Sequence, residues 1–195
     1  MGKGERTRAA ILDRALDRAS LDGLEGLSIG VLAREAGMSK SGLFAHFDSK
    51  EGLQLEVLRH ANERFVARVL APALRERRGE PRLRAFFEGF LRWENDAFPG
   101  GCPIQAAAEQ FDRRPGPVHD HLVESQRDLL ETAATIVRAG MEAGDFRADV
   151  DPREVAFDLL SLTAGYHRNR ALLPFGDVDR WTRAAFERLL DELRA

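Results

Sequence analysis

Apolar positions recur along this chain with helical spacing almost from end to end. Over residues 5–22, Leu12, Ala15, Leu16 and Ala19 fall at i, i+3, i+4 and i+7, one face of a helix. Gly23 stands where such a helix stops in the left-handed conformation. Ser28 is placed to cap a second helix with Ile29, Leu32, Ala33 and Ala36 on its inner face, ended by Gly37. A third, short helix is predicted over about 39–46, with Leu43 and Phe47 turned inward. Asp48 followed by Glu51 reads as a variant capping box that opens a long fourth helix. Its face is Leu53, Val57, Leu58, Ala61, Phe65 and Val69, and Pro72 is expected to kink or interrupt it.

The fifth helix, about 82–97, stacks Leu83, Phe86, Phe87 and Phe90 on one face, continued by Trp93 and Ala97. The turn FPGGCP precedes a sixth helix over 103–111, and RRPGP breaks it before a seventh over 117–143, stopped at Gly144. Asp151 as cap, Pro152 at the first helical position and Glu154 two residues later open an eighth helix to about 173, closed by Pro174. A ninth spans about 178–193. Strand-like alternation is missing, so the fold expected is all-α with about nine helices.

The seventh and eighth helices are apolar over more than one stripe. Leu122, Leu129, Ala133 and Ile136 form one row of the seventh, and Val123, Leu130, Val137 and Met141 another. In the eighth, Val155, Ala156, Leu159, Leu160, Leu162, Ala164 and Gly165 cover a wide arc. A helix on the surface of a monomer needs one stripe of about 100°. The excess predicts a homodimer through the helices at 117–143 and 152–173, the other reading being a central core helix in a monomer.

Composition narrows the class. The chain has 195 residues, 44% hydrophobic and 31% charged, as a soluble globular protein does. No apolar run of about 18 residues occurs, and MGKGERTRAA lacks the apolar stretch of a signal peptide. Cys102 is the only cysteine, so no intrachain disulfide can form and a cytoplasmic location is expected. Net charge is −3, and residues 1–60 hold nine Lys/Arg against nine Asp/Glu. A basic surface must therefore come from placement, with Lys3, Arg6, Arg8, Lys40 and Lys50 available for it.

Helix, glycine turn and short helix at 28–46 have the order of a helix-turn-helix. The second helix of such a unit enters the major groove of DNA with its N-terminal residues at the base edges. That accounts for GMSKSGLFAHF. Ser39, Lys40 and Ser41 are hydrogen-bonding groups at a helix N-terminus, where free N–H groups and the dipole favour phosphate. Gly42, costly to a helix by about 0.8–1 kcal/mol, leaves room for close approach. Two further helix starts are placed to help, at Ser28 and at Lys50. The charge of Lys50 opposes the dipole of the fourth helix, a cost that a phosphate relieves.

The segment RAAILDRALDRASLDGLEGLSIGVLAREAGMSKSGLFAHFDSKEGL resembles the DNA-binding domain of the tetracycline-repressor (TetR) family of transcriptional regulators. The likeness rests on an ordered set: the glycine-ended first helix, LSIGVLAREAGMSK, the aromatic–x–His–Phe end of the recognition helix, and SKEGL. It implies a DNA-binding domain over 1–53 and a C-terminal ligand-binding and dimerisation domain over 54–195. His46 matches a family histidine that can bond phosphate. Phe44 stands where the family usually has a tyrosine whose hydroxyl often touches phosphate. The Phe44 ring cannot donate that bond, but it can pack on sugar or a thymine methyl. The resemblance further implies a palindromic double-stranded operator and a small, largely apolar effector held in the C-terminal bundle.

For that effector, Phe90, Trp93, Cys102, Phe111 and Tyr166 are the candidate contacts, chosen as aromatics and a small thiol in a helical bundle. Cys102 also precedes a helix start, where a thiol's pKa can fall. No cofactor or metal is expected. His119 and His121 are two apart and point to different sides of a helix, and Asp145, Asp149 and Asp151 lack the ligand order of a calcium loop. No catalytic motif occurs. The competing reading is a helical-bundle small-molecule binding protein or enzyme without DNA binding. An activator, or a DNA binder that no ligand gates, is a further alternative.

Overall fold

A computed structural model describes residues 3–173 and 176–195, for Lys3 the backbone alone; the stop expected at Pro174 lies outside the described residues. In chain order the helices are α1 (Lys3–Asp22), α2 (Ile29–Glu35), α3 (Lys40–Phe47), α4 (Lys50–Phe65), α5 (Ala71–Arg75), α6 (Glu80–Asp96), α7 (Pro103–Phe111), α8 (Pro117–Glu142), α9 (Pro152–Leu172) and α10 (Asp177–Leu193). Between α4 and α5 the chain makes one π-helical stretch, Val66–Leu70. The only extended pairing among the described residues is a single bridge between Phe146 and Arg194.

The expected fourth helix is thus three segments. Pro72, in the first turn of α5, has no N–H to continue the α-helical ladder, and the turn before it widens to the π pattern. Counting these consecutive segments together, the described residues hold nine helices, the number expected.

Most stops and starts follow local chemistry. Gly23 and Gly37 take φ of 73° and 66°, the left-handed values that end α1 and α2. Asp151 accepts from the Arg153 amide at 2.8 Å and caps α9, with Pro152 at its start. The start of α4 is a correction. Ser49, not Asp48, is the cap: its hydroxyl accepts from the Gly52 amide at 2.9 Å. Asp48 instead is the residue that ends α3, with a positive φ of 37°.

The described residues group into two compact units. One joins residues 1–65 with 95–124, so α7 and the first turns of α8 pack with the N-terminal helices; the other joins 66–94 with 125–195. Leu16, Leu32, Leu43, Leu53 and Val57 are at most 2% exposed and centre the first core. Burying a side chain of this size contributes about 1.5–3 kcal/mol. In the second unit Phe86, Phe87, Phe90 and Trp93 are buried on α6, as the spacing predicted. The Phe87 and Phe186 rings stack at 3.9 Å and 11°, joining α6 to α10. Truncating either ring to alanine is expected to cost about 3–5 kcal/mol.

Of the two stripes on α8, Ala133, Ile136 and Val137 are buried within the second unit, and Leu129, Leu130 and Met141 are half-buried. On α9, Val155, Ala156 and Leu159 face the core. Leu160, Leu162 and Gly165 are half-buried and Ala164 is exposed; Phe157 and Leu172, outside that arc, are 64% and 65% exposed.

Candidate nucleic-acid interface

The N-terminal unit presents α3 on its surface. Leu43 and Phe47 are buried and anchor the helix, while Lys40, Ser41, Phe44 and Ala45 lie in solvent. Four residues separate the anchors, so the opposite side must face outward. The anchoring is reinforced from α1: the Arg8 guanidinium lies 5.4 Å from the centre of the Phe47 ring and reaches the Glu56 carboxylate at 2.7 Å. Burial disfavours the charge on Glu56, but Arg8 and then Arg59 outweigh it and hold its pKa below the ordinary value. Arg8, one of the cations available for a basic surface, is therefore committed to the protein's own scaffold. Arg14 and Arg18 clasp α2, donating to the Glu35 carbonyl and, at 2.5 Å, to the Glu35 carboxylate.

Each predicted contact residue has a definite place. Ser39 is the N-cap of α3, its hydroxyl accepting from the Gly42 amide at 3.1 Å with the Ser41 hydroxyl 3.0 Å away. A side chain at Gly42 would come within 3.2 Å of the Ser39 oxygen and 3.5 Å of Met38. Its missing side chain thus also gives the cap room, a reason the sequence did not suggest. Ser28 precedes α2 at the cap position, yet its hydroxyl makes no capping bond and is exposed. His46 is half-buried at the end of α3, its ring 6.2 Å from that of Phe47.

Ser28, Lys40, Phe44 and Lys50 come together around one shallow concavity of about 550 Å³, walled by Glu25–Gly30. The Lys40 stem crosses Gly30 so closely that a side chain there would sit 2.9 Å from it. Lys50 donates to the Glu25 carbonyl at 2.6 Å, a contact across 25 residues that no local pattern signals. The outcome is a cationic, hydrogen-bonding shelf with one exposed aromatic ring, formed at the starts of α2, α3 and α4. Such a surface suits phosphate and the adjoining sugar and base edges.

The candidate effector contacts fall in different units. Phe90 and Trp93 on α6 and Tyr166 on α9 are buried in the C-terminal unit. Cys102 is the buried cap residue of α7, and Phe111 closes that helix with the Arg114 guanidinium 5.7 Å from its ring, both in the N-terminal unit. Beside Trp93 and Tyr166 lies a polar pair that sequence reading missed. Glu94, fully buried, meets His167 Nδ1 at 2.9 Å. The available signal was that each directly follows a predicted pocket aromatic. An open groove of about 850 Å³ also runs between α5 and α8, lined by Leu70, Leu74, Ile136 and Ala139 with Arg78 and Arg82; Phe90, Trp93 and Tyr166 do not line it.

His119 and His121 have separate neighbours, Asp120 at 3.3 Å and Asn62 at 3.2 Å. Among the described residues no group of three His, Cys, Asp or Glu side chains is arranged to hold a metal ion, and no helix is long and apolar enough to cross a membrane.

Comparison with known proteins agrees with this geometry. Residues 11–57 match the family model described as bacterial regulatory proteins, tetR family, and residues 79–186 match the tetracyclin repressor-like C-terminal domain. The HTH-type transcriptional regulator RutR of Escherichia coli is 28% identical over 172 residues, 84% of this chain and 77% of RutR. A TetR transcriptional regulator of Chloroflexus aurantiacus superposes with a TM-score of 0.88 at 24% identity, over 100% of this chain and 99% of that one. AibR, solved in complex with isovaleryl coenzyme A and operator DNA, superposes at 0.72 with 18% identity, over 94% and 98% of the two chains.

Proposed function

The chain belongs to the tetR family of bacterial regulatory proteins and is a DNA-binding transcriptional regulator, and from that premise we propose that it is a homodimeric repressor released from its operator by a small molecule. The observation that carries the reading is the exposed α3, with Lys40, Ser41 and Phe44 outward and Ser28 and Lys50 on the same shelf. Lys40 and Ser41 at the start of α3 read base edges; Ser28, His46 and Lys50 hold phosphates. Ser39 and Gly42 shape the N-terminus of α3, and Phe44 packs on sugar or a thymine methyl.

The dimer forms through α9 and α10 in place of the pair of helices at 117–143 and 152–173 that the sequence suggested, because both apolar stripes of α8 are buried or half-buried within the chain. Phe157 and Leu172 on α9 and Trp181 on α10 are each about half exposed or more; exposed Ser161 and Ala164 lie between the first two along α9, and exposed Ala184 stands three residues after Trp181. Small residues between large apolar ones let partner helices approach closely, and an apolar patch of this kind marks a protein contact. Two copies would then present two α3 helices to half-sites one helical turn apart, about 34–36 Å.

The effector is a small, largely apolar molecule taken up near Phe90, Trp93 and Tyr166, with the Glu94–His167 pair as the polar element of that region. It binds better to a dimer whose heads are wrongly spaced for DNA. Coupling of about 1–3 kcal/mol would weaken DNA binding about 5–150-fold, and DNA must weaken effector binding by the same factor. AibR, with its acyl-coenzyme A and operator, is a precedent for one fold carrying both ligands.

Gel-shift and footprinting assays on the duplex upstream of the chain's own gene test the reading. A protected palindrome, lost on adding effector candidates, is the expected result. A purified chain that ignores that duplex at low salt overturns it, and operator and effector that bind with no mutual effect overturn the release mechanism.

A further inference from the structure

The turn between α1 and α2, residues 23–28, forms one wall of the shelf, yet side chains from other helices hold it in shape. The Leu24 and Glu25 amides both donate to Gln110 Oε1 on α7, at 2.9 and 3.4 Å. The Leu24 carbonyl accepts from the buried Gln54 amide at 3.0 Å, and the Glu25 carbonyl from Lys50. The Glu25 carboxylate pairs with Arg114, just beyond α7. Gly23 is shaped for this arrangement: a side chain there would lie 1.8 Å from Gln110 Nε2. A second tie joins the same two regions. The Gly100 amide donates to the Ser20 hydroxyl at 3.1 Å, and a side chain on Gly100 would lie 1.9 Å from the Ser20 carbonyl.

We infer that Gln110 is a positioning residue for DNA binding: its side-chain oxygen latches the α1–α2 turn to α7 and so sets the shelf that carries Ser28 and Lys50 without itself reaching DNA. The physical reason lies in the backbone. A turn must find partners for amides that no helix satisfies, and a buried one left without an acceptor is costly. Leu24 is 1% exposed, so water cannot readily replace Gln110 at its amide. Releasing the latch lets the turn choose other conformations, in which Glu25 no longer offers Lys50 its carbonyl and Ser28 no longer stands at the start of α2. Only the acceptor matters to both bonds, so a glutamate at 110 keeps the latch and a leucine, which has no acceptor, loses it.

The inference rests on the DNA-binding reading above, and the test separates the two. Full-length wild type, Gln110→Leu and Gln110→Glu are compared by amide hydrogen exchange without DNA and by titration of the duplex upstream of the chain's own gene. The Leu24 and Glu25 amides should exchange at least tenfold faster in Gln110→Leu, while amides in the α1 core keep their rates. DNA affinity should fall roughly tenfold, the order set by a lost backbone acceptor. Gln110→Glu should restore both protection and affinity. If wild type binds the duplex and Gln110→Leu binds it equally well, the latch is wrong and the functional reading stands. If Gln110→Glu behaves as badly as Gln110→Leu, side-chain shape rather than the acceptor is at work, and the latch is again wrong. If wild type binds no duplex, the functional reading fails and the latch fails with it. If Gln110→Leu loses protection throughout the unit, the residue serves stability in general, and its positioning role is refuted.

Discussion

Lys50 Nζ lies 2.6 Å from the carbonyl oxygen of Glu25 and donates to it. An ammonium has three donors, and the carbonyl occupies one, leaving the others for a phosphate at the same helix start. Lys50→Ala should weaken binding to every duplex sequence and lower the salt-dependence slope by about one, as the loss of one phosphate contact does. An unchanged slope, with affinity reduced, would assign Lys50 to shaping the turn alone.

Phe44 is 43% exposed on the outer face of α3, so a hydroxyl added at its ring edge meets solvent. Phe44→Tyr should leave thermal stability unchanged and tighten operator binding about three- to tenfold, the order of one added net hydrogen bond. Fluorescence anisotropy on the identified duplex checks it; weaker binding would show that the ring sits against an apolar surface of the DNA.

The dimer face should be separable from the core because Phe157 and Trp181 are exposed in the single chain. Phe157→Asp combined with Trp181→Asp should sediment at the monomer mass with helical content intact. Operator affinity should then fall to that of a single half-site. A doubly substituted chain that remains dimeric places the interface elsewhere.

Glu80, the first residue of α6, sits between Arg194 and Arg84 at 2.8 Å from each. Arg194 first, then Arg84, lower its pKa from the ordinary 4.5 to about 2 against the effect of burial. A carboxylate whose pKa is depressed on folding stabilises the native state above its unfolded pKa, and that contribution disappears as pH falls from about 4.5 to about 2. Its upper limit is about 3 kcal/mol, reduced in practice by the partial exposure of the site. Glu80→Gln should therefore melt lower than wild type at pH 7, with the gap closing across that window. Thermal melts at pH 7, 4 and 2.5 decide it; a gap independent of pH rules the linkage out.

What could be read along the chain was whatever neighbours in sequence decide together. Helical spacing located the inner faces of α1–α3 and α6, because residues three and four apart share a face wherever the helix ends up. Gly23, Gly37 and the Asp151–Pro152 start were legible because a left-handed stop and a side-chain cap involve only a few adjacent groups. Two local expectations failed: Ser28 holds the cap position of α2 without a capping bond, and Asp48 was read for Ser49 because two capping residues stand side by side, where the backbone turn chooses between them. The recognition helix was legible for a related reason: its buried anchors Leu43 and Phe47 lie four apart, so the exposed side followed.

Tertiary structure decided everything that depends on which distant groups meet. The commitment of Arg8 to Phe47 and Glu56, the bond from Lys50 to Glu25, the buried pair of Glu94 with His167 and the hold of Gln110 on the α1–α2 turn join residues 25 to 86 positions apart. A charged or amide side chain carries no mark in sequence of the partner it will find. Its role is set by desolvation and by the unsatisfied polar groups around it, and those exist only after the helices have packed.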